Sequence, residues 1–396
     1  MIIREKYINE VRPFYESDLI KIITGVRRCG KSVILDQIKD EIQKKSNNIV
    51  SLDFDDRAIT SFINTWEDIV NYVNEKRKEG LCYVFLDEIQ VIKDWALACK
   101  SLRRENCSVF ITGSNSKLLS GEFTKELSGR YVSFRIRPFV YKEILEYAKQ
   151  LNKTISINDY LVWGGFPKCI EFNDKDSLRR YLNDLDETIV LNDIINRYKI
   201  RKTEEFKKFV NYILICNARQ YSANNIAETL KNNGLKCSTN TVQKWIAYLK
   251  EAYIIDELSK YSTRAKRELD QSNKLYNCDI SLNSIRQKDN RYDLSHNLEN
   301  IIYNELQYMG YSLNVYDNHG KEIDFLATKD NKKYYVQVAY SIVEDKAYNR
   351  EFNAFKGISQ LDKKIIITND DVDYSTSNVT HVKLSNFLKL ESLEKI

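Results

Sequence analysis

A short glycine-bounded stretch between an apolar run and a helix-like segment constrains this chain most. The run LIKIIT (residues 19–24) is predominantly apolar, as a buried strand is, and KSVIL begins a segment with helical spacing. Gly25, Gly30, Lys31 and Ser32 occur between them in the spacing G-x-x-x-x-G-K-S. In a strand-to-helix context this spacing predicts a loop that wraps a phosphate group.

The residue types in this stretch suit a nucleoside triphosphate. The glycines let backbone N–H groups turn toward a β-phosphate at the N-terminus of a helix. Lys31 can bridge the β- and γ-phosphate oxygens, and the Ser32 hydroxyl can bind Mg²⁺. ATP and Mg²⁺ are therefore the predicted ligands. The predicted nucleotide-binding residues in the loop are Gly25, Val26, Arg27, Arg28, Cys29, Gly30, Lys31 and Ser32.

Two adjacent acids follow a second apolar run, YVFLDEIQ (83–90). Asp87 is the predicted second ligand of Mg²⁺, because a loop of this kind needs an acid at the end of another strand. Glu88 is the candidate general base that accepts a proton from an attacking water molecule. The alternative for Glu88 is an ordinary solvated acid.

Three further polar residues could act on the γ-phosphate. Ser114 and Asn115 follow the run SVFITG (108–113) and could sense the phosphate, although a simple turn is the alternative. Arg130, in LSGRYVSF, could reach the phosphate of a neighbouring subunit and so imply a homo-oligomer. An ordinary surface or ion-paired arginine is the alternative there.

The order of apolar runs predicts an α/β fold. Runs at residues 19–24, 49–54, 81–87 and 108–113 alternate with helical stretches, as buried parallel strands do, and 131–137 adds a fifth strand. Residues 204–258 contain three helical segments, and the last hundred residues contain strands between helices. A chain of 396 residues is long enough for several such domains.

Composition excludes some classes of protein. The net charge of +5 is too small for a chain that coats nucleic acid with its whole surface, so nucleic-acid contact would be local. The eight cysteines are scattered, and the sequence has no apolar run of 18 residues. We expect a soluble cytoplasmic protein with no membrane association.

Motifs along nearly the whole chain resemble those of a prokaryotic AAA-superfamily ATPase family that carries a C-terminal domain of unknown function. They include GVRRCGKS, FLDEIQ, ITGSNSKLLSGE, LSGRY, RPFVYKEIL, WGGFP, KLYNCD, LENIIYNEL and EIDFLA. The resemblance implies a P-loop AAA-type core and a C-terminal domain similar to restriction endonucleases. We assign the core to residues 1–140, a helical lid or linker to 141–202, a winged-helix domain to 203–280 and the endonuclease-like domain to 290–396.

In the winged-helix interpretation, STNTVQKWIAYLKEA is the recognition helix. Its polar face would present Gln243, Lys244 and Lys250 to a groove of double-stranded DNA, opposite a core face with Trp245. The wing would add cations and interleaved rings, namely Lys260, Tyr261, Arg264, Lys266, Arg267, Lys274 and Tyr276. Docking onto a protein partner is the alternative use of this surface.

The endonuclease-like resemblance implies an acid on one strand, an acid-x-lysine pair on the next, and a helical glutamate. Asp324 and either Glu305 or Glu299 match this pattern, but Gln337 and Ala339 stand where the acid and lysine should be. A neutral amide binds Mg²⁺ weakly, and alanine cannot transfer a proton. We therefore expect a degenerate site, with Glu305, Asp324 and Gln337 as its remnants.

These features together predict an Mg²⁺-dependent ATPase that couples its nucleotide state to binding of DNA or a protein partner. A slow nucleotide-dependent switch or assembly scaffold is the main alternative, because no recognisable motor element is present. An ATP-gated nuclease that depends on metal is the weaker alternative.

Overall fold

The computed structural model describes residues 2–113, 127–235, 237–261, 273–287, 289 and 291–396. The chain forms two compact units, one of residues 1–138 with 251–253 and one of 139–250 with 254–396. The finer division into four domains stays a prediction. Within the described part of the chain, no helix combines the length and apolar composition that crossing a bilayer requires.

The first unit is built on a five-stranded parallel sheet. Its strands are β1 (Ile20–Thr24), β2 (Ile49–Asp53), β3 (Cys82–Asp87), β4 (Cys107–Gly113) and β5 (Tyr131–Arg135). Their order in the sheet is β2-β3-β4-β1-β5. Strands β1 and β4 are buried along their whole length, which explains why apolar residues occur at successive positions in these runs and not only at alternate ones. The predicted α/β core is confirmed.

Helices cover this sheet. They are α1 (Glu5–Val11), α2 (Lys31–Gln43), α3 (Arg57–Thr60), α4 (Trp66–Lys76) and α5 (Trp95–Arg104), with short 3₁₀ turns at Arg12–Phe14 and Ile89–Val91. In α2, Ile34, Ile38 and Ile42 recur every four residues and are buried, which is the apolar stripe of a helix that packs on one face. Because α2 begins directly after the glycine loop, this packing fixes the loop on the sheet.

The second unit begins with helical segments. They are α6 (Tyr141–Gln150), α7 (Ile157–Trp163), a 3₁₀ segment (Pro167–Glu171), α8 (Lys175–Thr188) and its π-helical continuation Ile189–Asn196. The WGGFP stretch after α7 packs on Asp279, whose Oδ2 accepts a hydrogen bond of 2.6 Å from the Gly165 N–H. A Cβ on Gly164 would lie 1.8 Å from Asp279 Oδ1. The buried Asp279 carboxylate therefore requires glycine at 164, and the Phe139 carbonyl oxygen, 1.9 Å from the Cβ position of Gly165, requires it at 165.

Three helices and a small antiparallel sheet follow in the second unit. The helices are α9 (Thr203–Ile215), α10 (Ala223–Asn232) and α11 (Thr239–Glu251), and the strands are β6 (Gln220–Tyr221), β7 (Ile255–Leu258) and β8 (Asn273–Asn277). Strand β8 lies between β6 and β7. The assignment of these elements to a winged-helix domain stays a prediction.

A five-stranded mixed sheet ends the chain. It contains β9 (Ser312–Asn318), β10 (Lys321–Lys329), β11 (Lys332–Val338), β12 (Lys363–Thr368) and β13 (Thr380–Lys383), in the order β13-β12-β11-β10-β9. The helices are α12 (Ser281–Ser284), α13 (Leu294–Tyr308), α14 (Asp345–Ala354) and α15 (Leu384–Phe387), with a final 3₁₀ turn at Leu393–Lys395. Pairing is antiparallel from β9 to β11 and parallel from β11 to β13.

Glu305 of α13 is buried among aromatic residues, apart from the partners of Asp324. Its Oε1 accepts hydrogen bonds from the Tyr141 N–H (2.9 Å) and the Tyr160 hydroxyl (3.1 Å). Burial, with a smaller effect of the negative charge of Glu143, raises the pKa of Glu305 to about 8. This corrects the assignment of Glu305 to an endonuclease-like site, because its role is to join α6 and α7 to α13.

The raised pKa of Glu305 makes stability depend on pH. The folded protein keeps this proton up to about pH 8, whereas the unfolded chain releases it near 4.5, so stability falls as pH rises between these values. Glu305→Gln cannot ionise, and its amide oxygen can still accept both hydrogen bonds. Between these pH values, the unfolding free energy of Glu305→Gln in urea should fall less steeply than that of wild type. The two slopes should differ by at most about 1.4 kcal/mol per pH unit.

The matched control is Glu146→Gln, because Glu146 is an exposed glutamate of α6. It should leave the pH dependence of wild type unchanged. Parallel pH profiles for wild type and Glu305→Gln would show that Glu305 ionises normally in the folded protein.

Candidate functional site

The glycine loop follows the carboxyl end of β1 and is held there by β5. The Ile136 N–H donates a hydrogen bond of 2.7 Å to the Thr24 carbonyl. The next residue, Gly25, has φ +146°, and a Cβ there would lie 2.2 Å from the Ile136 carbonyl oxygen. A side chain cannot occupy that space, so this position requires glycine.

Gly30 (φ +99°) is the N-cap of α2 and carries no side chain that could cap the helix. The N–H groups of the first helical turn are therefore available to an anion, which the positive end of the helix dipole favours. Arg28 also has a positive φ, +66°, which is uncommon for a residue with a side chain and occurs often at functional sites. The loop thus has the curvature and the donors of a phosphate cradle.

Lys31 lies under this loop with 5% of its surface exposed. Its Nζ donates a hydrogen bond of 3.2 Å to the Val26 carbonyl and lies 4.0 Å from Glu88 Oε1. The Val26 carbonyl holds the ammonium group inside the loop. The phosphate oxygens of a bound nucleotide would replace this neutral carbonyl as the partner of the ammonium group. The neighbouring Cys29 thiol is fully buried, and its burial raises its pKa, so the thiol is unreactive.

The two acids at the end of β3 are linked through Thr112 on the next strand, β4. The buried Thr112 hydroxyl donates to Asp87 Oδ1 and accepts a hydrogen bond of 3.0 Å from the Glu88 N–H. Asp87 is the last residue of β3. Glu88 has a left-handed backbone conformation, with φ +50°, so the chain turns out of the strand direction at this residue. Sequence analysis missed Thr112, although its place beside Gly113 at the end of an apolar run was a usable signal.

Arg4 is a second residue that sequence analysis missed. It is buried, and its Nη1 donates to the carbonyls of Cys29 (3.2 Å) and Arg137 (3.0 Å). The side chain thus joins the glycine loop to the segment after β5. No local sequence pattern indicates this contact, because it joins residues that are 25 and 133 positions apart.

Arg130 precedes β5, and its carbonyl accepts a hydrogen bond of 2.9 Å from the N–H of Ile20, the first residue of β1. The glycine loop follows the last residue of the same strand. Five residues of β1 therefore separate the Arg130 backbone from the start of the glycine loop, a distance of about 16 Å at roughly 3.3 Å per residue. Ser114 and Asn115, the other predicted γ-phosphate residues, lie outside the described residues.

The oxygen donors near the loop suit Mg²⁺. Asp87 supplies a carboxylate, and Ser32 supplies a hydroxyl at the start of α2, which are oxygen ligands of the kind that Mg²⁺ prefers. The backbone cradle around Gly25 and Gly30 fits phosphate groups. The parallel sheet, this loop after β1 and the acid at the end of β3, two strands away in the sheet, together define a P-loop ATPase of the AAA type.

Comparison with known proteins agrees with this class. An AAA domain matches residues 17–145, Domain of unknown function (DUF8612) matches 154–291, and Domain of unknown function (DUF4143) matches 295–387. A protein of Haemophilus influenzae, described as uncharacterized, is 34% identical over 385 residues, which are 93% of each chain. This chain belongs to the same family, in which an AAA domain precedes two domains of unknown function.

Two other proteins are similar along most of the chain. A protein of Methanocaldococcus jannaschii, also described as uncharacterized, is 29% identical over 379 residues, 89% of this chain and 82% of that protein. Among solved structures, the Walker-type ATPase of Pyrococcus abyssi has a TM-score of 0.51 and 16% identity, and covers 72% of this chain and 96% of its own. At that identity the similarity shows the fold alone.

The structure places the predicted recognition-helix residues on two faces of α11. Trp245 is buried, whereas Gln243, Lys244 and Lys250 are exposed. Lys250 forms an ion pair with Glu257 on β7, so its positive charge already has a partner within the unit. Arg264, Lys266 and Arg267, the predicted wing cations, lie outside the described residues.

Two of the predicted wing residues are not surface residues. Tyr276 is fully buried and stacks on Tyr303, with ring centroids 4.2 Å apart. Lys274 is also buried, and its ammonium lies among carboxylates that include Glu299 and Asp324. Burial alone would lower the pKa of Lys274, but these negative charges outweigh it and raise the pKa well above the usual value. The prediction that both residues contact DNA is wrong.

The structure brings together Asp324 and Gln337 of the endonuclease-like pattern. The Asp324 N–H donates to Gln337 Oε1 at 3.2 Å, and Gln337 Nε2 donates to Glu351 Oε2 at 2.6 Å. The helical carboxylate that shares a partner with Asp324 is Glu299, through Lys274. Sequence analysis left Glu299 as one of two alternatives, and the structure selects it over Glu305.

The steric requirement at Gly25 gives a test of the loop geometry. Gly25→Ala would push the loop away from Ile136, so we expect a loss of several kcal/mol of unfolding free energy, at the upper end of single-residue effects. Gly80→Ala is the matched control, because Gly80 has φ +93° with no atom within 4 Å of its Cβ position. It should lose only about 1 kcal/mol. Equal losses in urea unfolding would contradict the close approach to Ile136.

Proposed function

We propose that this protein is an Mg²⁺-dependent ATPase whose nucleotide state controls how its second unit binds DNA. The observation that carries the proposal is the linked arrangement of Asp87, Thr112 and Glu88 at the strand ends beside Lys31. A phosphate loop alone would account for nucleotide binding without hydrolysis. An acid in position to accept a proton from water adds hydrolysis.

Each residue has a distinct role in the proposed reaction. Lys31 and the N–H groups of the loop bind the phosphate oxygens and hold the γ-phosphate in place. Mg²⁺, when bound by Ser32 and Asp87, supplies positive charge that offsets the negative charge of the phosphates. Thr112 fixes the Asp87 carboxylate by donating to its Oδ1. These groups position the triphosphate before any bond changes.

Glu88 is the proposed general base. Its left-handed backbone turns it out of the strand, and the Gln90 side-chain amide donates to its Oε2 while Oε1 faces Lys31 at 4.0 Å. A carboxylate held on one oxygen by an amide keeps its other oxygen for a water molecule. That oxygen would take the proton as the water attacks the γ-phosphorus and the β-phosphate oxygen leaves.

Arg130 is the proposed residue that acts on a neighbouring subunit. The strand β1 separates it from the phosphate loop of its own chain, since its carbonyl pairs with Ile20 at the opposite edge of the sheet. It therefore cannot reach that loop in the same chain, which is what a residue acting in trans requires. Its cation would stabilise the negative charge that grows on the phosphate oxygens of the neighbour, and the proposed assembly is a homo-oligomer.

The proposed DNA contact lies in a winged-helix module of the second unit. Helix α11 buries Trp245 and presents Gln243 and Lys244 on its exposed face, as a helix that enters the major groove must do. An exposed amide can read base edges, and an exposed lysine can contact phosphates. Lys250 contributes less, because Glu257 pairs with it.

Glu88→Gln tests the hydrolytic step. The amide keeps the size of the side chain but cannot accept a proton, so ATP binding should remain near wild type while turnover falls by about 10² to 10⁴-fold. Lys31→Ala is the comparison variant, because loss of the ammonium should weaken binding itself. Isothermal titration with ATP and a phosphate-release assay separate the two effects. Turnover of Glu88→Gln at the wild-type rate would assign the base elsewhere.

Lys244→Glu tests the DNA contact. Reversing this charge should weaken binding of double-stranded DNA by about tenfold in a fluorescence-anisotropy titration at fixed salt. The control is Lys208→Glu, which makes the same charge change on an exposed residue of α9 and should have a smaller effect. Equal affinities for wild type and Lys244→Glu would direct the proposal toward a protein partner.

A further inference from the structure

The second unit contains a polar cavity of about 940 Å³. Its walls come from the segment before β6, from β8, from the start of α13, and from the strands and helix α14 of the C-terminal sheet. Buried ionisable side chains line it. They are Lys274, Glu299, Asp324 and Glu351. No residue of this cavity takes part in the proposed ATP hydrolysis.

One ammonium group lies at the centre of three carboxylates in this cavity. Lys274 Nζ is 2.8 Å from Glu299 Oε1, 2.7 Å from Glu322 Oε1 and 3.1 Å from Asp324 Oδ1. Lys274 is only 4% exposed. A point surrounded at nearly equal distances by oxygens from three carboxylates is a cation site, and here the cation belongs to the chain itself.

The carboxylates are held in this arrangement by other groups. Asp324 Oδ2 accepts a hydrogen bond of 2.9 Å from the Val338 N–H, and the Tyr276 hydroxyl donates to Glu299 Oε1 at 2.7 Å. The side-chain amide of Gln220 donates to Glu322. Three acids held close together, Glu299 on α13 and Glu322 and Asp324 on β10, would repel one another strongly without a positive charge between them. The site is therefore built for a cation.

The distances fit an ammonium group. Oxygen ligands lie at about 2.3–2.6 Å from Ca²⁺ and about 2.0–2.1 Å from Mg²⁺, so the three oxygens would have to move inward by several tenths of an ångström to hold a metal. As they stand, no group of three acidic, histidine or cysteine side chains among the described residues is arranged to hold a metal ion. Gln337 is already bonded to the Asp324 N–H and to Glu351.

We propose that the Lys274 ammonium is the resident cation of this carboxylate site and keeps divalent metals out of it. The same ion cluster fastens β8 to α13 and β10. Removing the ammonium would leave three carboxylates with no counter-charge. Without the ammonium, these carboxylates would bind a hard divalent cation such as Mn²⁺ or Mg²⁺.

Mn²⁺ binding to the full-length protein, measured by electron paramagnetic resonance of free Mn²⁺, tests this proposal. Every protein in the series carries Asp87→Asn, so that the phosphate-loop site does not contribute. The parent should bind no Mn²⁺ that depends on Asp324. Lys274→Met keeps the length of the side chain without its charge, and it should bind one Mn²⁺ with an affinity at least tenfold above that of any Mn²⁺ binding by the parent. Adding Asp324→Asn to Lys274→Met should abolish that binding.

Lys274→Arg is the conservative control, because its guanidinium keeps the positive charge and should continue to exclude Mn²⁺. A folded Lys274→Met protein, checked by circular dichroism, that binds no Mn²⁺ would overturn the proposal. Mn²⁺ binding by the parent that Asp324→Asn removes would overturn it as well, and this second measurement stands even if Lys274→Met does not fold.

Discussion

The close approach of Gly25 to the Ile136 carbonyl oxygen is the contact on which the first unit depends. A Cβ at Gly25 would lie 2.2 Å from that oxygen, so the chain can turn from β1 into α2 only through a residue without a side chain. This turn places the N–H groups of the loop at the carboxyl edge of the sheet. The acids of β3 end at the same edge, because β1 and β3 belong to one parallel sheet. Loop and acids therefore meet as a consequence of strand direction.

Buried ionisable side chains organise the second unit in a different way. Asp279, Glu305 and Lys274 are each almost fully buried, and each is bonded to partners far away in sequence. Burying a polar or charged group without partners costs free energy, so each of these groups fixes the elements that supply its partners. Asp279 holds the WGGFP turn, Glu305 joins α13 to α6 and α7, and Lys274 joins β8 to the C-terminal sheet. Polar contacts thus define how these elements pack.

Sequence analysis found the strands and the phosphate loop because their signals are local. An apolar run of five or six residues and a fixed glycine spacing are each complete within a short window. Arg4 and Lys274 could not be placed in this way, since each acts through residues at least 25 positions away. Glu299 and Glu305 show the same limit, because six residues on a helix separate their directions by about 120°. Only the packing of α13 decides which of them faces Asp324.

A crystal structure with a non-hydrolysable ATP analogue and Mg²⁺ tests the central claim most directly. It should show the β- and γ-phosphates within the loop of residues 25–30, Lys31 Nζ within hydrogen-bond distance of both, and the metal between Ser32 and Asp87. Nucleotide bound elsewhere on the protein, or a metal that does not contact Asp87, would contradict it.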